Sequence, residues 1–106
     1  MTTFDEREQA FENKFKHDQE TLFKIQMRRA KLLGLWAAEQ MGFSRAEADA
    51  YARQVVDADF EEAGPQDIVR KVHRDLEAKG IDISHHRVEK HAEALIQVAT
   101  DQIMKG

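Results

Sequence analysis

Apolar residues recur at helical spacing along most of this chain and nowhere alternate with polar ones, so the pattern predicts helices and no strands. Four helices are expected, over about residues 4–41, 45–60, 66–79 and 85–104. In the second, Ala48, Tyr51, Ala52, Val55 and Val56 share a face, and Phe60 trails its end. The third carries Ile68, Val69, Val72 and Leu76; the fourth carries Val88, Ala92, Leu95, Ala99 and Ile103, with Ile96 and Val98 beside them. Such stripes, joined by short loops, predict an all-α fold, a compact four-helix bundle.

The punctuation between helices agrees with this division. Gly42 ends the first periodic stretch, and Phe43 follows where a Schellman stop places its hydrophobe. Ser44 opens "SRAE", a capping box with Glu47. The "AGPQD" run breaks the second helix, with Pro65 suited to the first turn of the third. Gly80 closes the third helix, and Ser84 is an N-cap for the last.

The first helix departs from the pattern. Its later half is rich, with Leu22, Ile25, Leu32, Leu33, Trp36 and Met41. The same stripe continues earlier in register but reads Phe4, Glu8, Phe11, Phe15, Asp18, with charges in two of its seats. A continuous helix over 4–41 would span roughly 57 Å, against a radius of gyration of about 13 Å for a compact chain of this size. The early part is therefore expected to project, to bend back at a break such as Gly34, or to stay disordered until bound. Residues 1–20 are read as a mobile appendage and 21–106 as the bundle domain.

Composition narrows the possible functions. A 106-residue chain with 42% apolar and 34% charged residues is expected to be one soluble globular domain with a small core. Without cysteine there are no disulfides or thiolate metal sites, which suits a reducing cytoplasm. The acidic start lacks a signal peptide's features, and no run approaches a membrane span. A net charge of −4 argues against nucleic acid as a partner.

Candidate chemistry is sparse. His85 and His86 lie six and five residues before His91, not the three or four that bring two imidazoles onto one ion. His85 with Glu89, or His86 with Lys90, makes at best a solvated pair, and His17 and His73 stand alone; no metal is expected. There is no glycine-rich phosphate loop, the only serines are Ser44 and Ser84, both committed to caps, and the acids of "DADFEE" read as a solvated helix end. No convergent polar cluster can be assembled, so the chain is read as no enzyme and as needing no cofactor. Lys24, Arg28 and Lys31 share a face with Arg29 adjacent, which reads as a solvated flank, the alternative being a patch for an acidic protein surface or a nucleotide phosphate. Phe4, Phe11 and Phe15, seven and four residues apart, have the spacing of anchors that enter a partner's groove. The alternative is that they pack on the bundle. Excess acid in residues 1–20 disfavours a membrane surface.

These segments carry a family resemblance. "MTTFDEREQAFENKFKHDQE" followed by "FKIQMRRAKLLGLWAAEQMG", with D-F-E-E-A-G-x-x-D at 59–67, resembles the zeta subunit of the alphaproteobacterial F-type ATP synthase, along essentially the whole chain. The resemblance implies a small helical protein that binds the catalytic head and inhibits ATP hydrolysis through its N-terminal segment. That segment would enter an αβ interface beside the central rotor shaft. Carried over, the contacts would be Phe4, Asp5, Arg7, Phe11, Lys14 and Phe15. The partners would be the α, β and central-shaft subunits, and the free protein a monomer. It would reside in the cytoplasm, at the inner membrane only through the synthase. The resemblance leaves weak nucleotide binding to the bundle open. The alternative reading is a helical adaptor that uses the same arm on another partner.

Overall fold

The structure, a computed structural model, describes the backbone of residues 3–61 and 65–105, and the side chains of 6–60 and 65–105. Five helices make up the fold: α1 (Thr3–Lys14), α2 (Gln19–Gln40), α3 (Arg45–Glu61), α4 (Pro65–Ala78) and α5 (His85–Lys105), with no strand among the described residues. The expected all-α class holds, but with five helices rather than four.

The correction lies in the first helix, which breaks at residues 15–18. Asp18, read as a charge in the apolar stripe, is the N-cap of α2. Its carboxylate accepts from the Thr21 amide at 3.0 Å and from the Thr21 hydroxyl at 2.7 Å. Those bonds hold the Asp18 carboxyl below its ordinary range, the hydroxyl bond first. The turn closes with the Asp18 amide donating to the Phe15 carbonyl at 2.9 Å and the Gln19 side chain donating to the Lys16 carbonyl at 2.8 Å. Chain reversal here lets α1 lie back on α5 and α2 instead of projecting. The molecule measures 41 Å in its longest dimension with a radius of gyration of 13.3 Å, too short for an unbroken first helix.

Gly34 is not a hinge. It sits wholly inside α2, where a Cβ would come within 2.7 Å of the Ala52 Cα and 3.2 Å of Val55 Cγ2. Its missing side chain lets α2 and α3 cross closely.

The boundaries between α2 and α3 and between α4 and α5 form as the sequence predicts, and Pro65 opens α4, while Ala63 and Gly64 of the expected break before it lie outside the described residues. After α2 the Phe43 amide donates to the Ala38 carbonyl and the Gly42 amide to that of Glu39, both at 3.1 Å, with Gly42 at φ +73°. Gly80 repeats this stop after α4, with Ile81 bonded back to Leu76 at 2.9 Å. The Ser44 amide donates to Glu47 at 2.8 Å while the Glu47 amide donates to the Ser44 hydroxyl at 3.2 Å, completing the capping box. Ser84 accepts from the Arg87 amide at 3.2 Å and starts α5.

Packing divides into two cores. The main one gathers Leu33 and Ala37 of α2, Tyr51 and Val55 of α3, Ile68, Val72 and Leu76 of α4, and Val88 and Ala92 of α5. Trp36 lies against it, its indole stacked on the His91 ring at 3.9 Å between centroids. The smaller core holds Phe11, Ile25 and Ala99, flanked by Phe15, Leu22, Leu32, Ile96 and Ile103. None of the described helices is long and apolar enough to cross a membrane.

Candidate functional site: the N-terminal arm and its seat

One face of α1 carries Glu8, Phe11 and, just past its end, Phe15, at the three- and four-residue steps that align side chains on a helix. That face points inward. Phe11 is 9% exposed and meets the half-buried Phe15 with ring centroids 5.3 Å apart. Lys14 lies above the Phe15 ring at 5.5 Å, and Arg7 reaches across to Glu93 of α5 at 2.7 Å. Four of the expected partner contacts, Arg7, Phe11, Lys14 and Phe15, thus come together along the α1–α5 seam. Phe4 and Asp5 lie outside the residues whose side chains are described.

The charge at position 8 has a structural partner. Glu8 and Arg29, both nearly inaccessible, form a forked pair: Arg29 Nη1 donates to Glu8 Oε1 at 2.6 Å and Nη2 to Oε2 at 3.4 Å. Arg29 belongs to the run read as a solvated flank, so this is a correction. Its neighbours do face solvent or polar partners, Lys24 pairing with Glu20 at 3.2 Å and Arg28 donating to Gln102 at 2.7 Å. Arg29 instead turns inward, because its position on α2 falls one step round the helix, on the buried side with Ile25 and Leu33.

More acids gather round this guanidinium. Glu12 is pushed above its ordinary range by burial, then by the negative charge of Glu8, with Arg29 opposing. Asp59, near the end of α3, is pushed up by burial; Arg29 opposes that, and Glu8 and Asp67 add to it. Sequence reasoning missed Glu8, Glu12, Arg29 and Asp59 as a group. The available signal was a carboxylate occupying a seat in an aromatic stripe, which requires a buried cation from elsewhere.

Clefts flank α1 on both sides. One, of about 740 Å³, runs between α1 and α5 beside Phe11, Phe15 and Thr100. The other, of about 480 Å³, opens between Glu12, Phe23, Arg29 and Asp59. The helix therefore touches its seat along a narrow ridge.

The remaining sequence candidates separate. His85 pairs with Glu89 at 3.6 Å, and its ring meets His73 edge-on at 5.6 Å, while His91 is taken up by Trp36. The described residues hold no group of three or more His, Cys, Asp or Glu placed to bind a metal ion.

A family model described as ATPase inhibitor subunit zeta matches residues 1–102. Among solved structures, a protein determined by solution NMR is 49% identical over 78% of this chain and 94% of its own, with a TM-score of 0.69. Among curated proteins none matches. With nearly its whole length matched, this chain belongs to the ATPase inhibitor subunit zeta family.

Proposed function

We propose that this protein restrains ATP hydrolysis by the F-type ATP synthase, with residues 1–20 as the inhibitory element and 21–106 as its carrier. An inhibitory role and association with the synthase accord with the family. The finer reading is a wedge. The segment orders between α, β and the central shaft, where the interface must open and close for each turnover, and blocks that cycle without touching the chemistry. Phe4, Phe11 and Phe15 serve as anchors, and Asp5, Arg7 and Lys14 set register against the partner.

The observation that carries this reading is the seating of α1. Its aromatic face is held over a small core by a narrow ridge, between two open clefts. A helix attached in this way can leave while the main core stays folded. The test is ATP hydrolysis by the purified catalytic head, titrated with the full chain and with one lacking residues 1–16 whose helical fold is verified. Inhibition by the full chain alone is expected. Equal inhibition by both would move the inhibitory element into the bundle. Inhibition by neither would favour an adaptor acting on another partner.

A further inference from the structure

We propose that α1 is held closed by an exchange of partners at a single guanidinium: Arg29 grips Glu8 while the arm is seated and passes to Asp59 when the arm leaves. This rests on the reading of residues 1–20 as the inhibitory element, because the face that would engage a partner is the face buried here. Phe11 cannot fill a groove on another protein while it packs on Ile25 and Ala99. Binding and self-packing are therefore mutually exclusive, and whatever biases closure sets how much protein is competent to bind.

The geometry supplies the two states. In the closed state Arg29 commits both terminal nitrogens to Glu8, while its Nε is buried without a hydrogen-bond partner. Asp59 lines the same cleft as Arg29 and itself makes no hydrogen bond or ion pair among the described residues. A donor without an acceptor thus shares a cleft with an acceptor without a donor, in the state where Glu8 occupies the fork. Loss of Glu8 frees the fork and removes the negative charge that opposes Asp59 ionisation, so Asp59 becomes the natural recipient. The charged groups gathered here are Glu8 and Glu12 of α1, Lys16 of the turn after it, Arg29 of α2, Asp59 of α3 and Asp67 of α4, the last paired with Arg70 at 3.1 Å. Arg29, the one buried cation among the described residues, is thus shared by Glu8, Glu12 and Asp59, and the last two compete with Glu8 for the guanidinium that holds the arm. Such an arm is poised to leave.

The two acids should act in opposite directions, which a merely structural role would not produce. In the full-length protein, Glu8→Gln weakens the closed grip and speeds hydrogen exchange at the amides of residues 8–14 by about threefold to fivefold, up to the limit set by an arm that opens on its own. Asp59→Asn removes the alternative acceptor and slows the same exchange by about threefold. Exchange in α2 to α5 reports that each variant is folded. In the hydrolysis assay the half-inhibitory concentration falls for Glu8→Gln and rises for Asp59→Asn. Exchange that moves the same way in both variants, or in neither, overturns the exchange of partners whether or not the protein inhibits. Opposite shifts in exchange with no change in inhibition leave the latch standing and sink the inhibitory reading of the arm instead.

Discussion

The core among α2, α3, α4 and α5 and the smaller one beneath α1 share two walls, α2 and α5, yet differ in what closes them. The main core is lined mostly by aliphatic side chains, nearly all without access to solvent, with Tyr51 as its aromatic member, and is drawn largely from four helices. Among the described residues the smaller core receives only Phe11 and Phe15 from its third side, and beside it lie Glu8 and Arg29, the two buried charges. Apolar burial contributes about 25 cal/mol per Å² regardless of orientation. A buried ion pair adds little net stability, because desolvation offsets the attraction, but it allows few registers. The comparison teaches that one region is built to persist and the other to find a particular seat.

Truncation separates the two most strongly. Leu33→Ala, at a position with no exposed surface, should cost about 2–5 kcal/mol of global stability. The loss is read as a lower denaturant midpoint with α2 to α5 unfolding together. Phe11→Ala removes a larger side chain, yet the global loss should stay near 1 kcal/mol, because opening of α1 alone caps what its contacts can contribute. Its signature is lost exchange protection in α1 with the main transition unmoved. A comparable global loss in both variants would merge the two cores into one cooperative unit.

Acidity gives the smallest effect. Glu12 and Asp59 hold protons more tightly in the closed structure than at their ordinary values of 4.5 and 3.8, so closure takes up protons. As pH falls from above the raised values toward the ordinary ones, the closed arm gains. As pH rises past the raised values, that gain is lost. The exchange of α1, corrected for the intrinsic pH dependence of amide exchange, should show arm opening increase about twofold across this window, because both groups retain solvent screening. Asp59→Asn should flatten part of the dependence.

What could be read from the sequence follows how far apart the interacting residues lie. Gly42 with Phe43, Gly80, Ser44 with Glu47, and Ser84 announce helix ends because every partner is within a few residues. Asp18 and Thr21 are equally local, but Asp18 also falls in register with Phe4, Phe11 and Phe15, and the apolar stripe masked the cap. Gly34 reads as a break until Ala52 is placed against it. The Glu8–Arg29 pair spans 21 residues and exists only because the chain reverses between them. Neither residue alone announces the other.

The stacking of Trp36 on His91 has a spectroscopic consequence. The chain has a single tryptophan, so its fluorescence reports the main core and says little about the arm. Burial, aided by the Arg87 charge, holds the His91 proton affinity below its ordinary value. The imidazole against the indole is therefore neutral at neutral pH. Quenching by its protonated form belongs to acid solution alone. An emission trace can stay flat while α1 leaves its seat, and a silent tryptophan is then a record of what the arm can do without disturbing the rest.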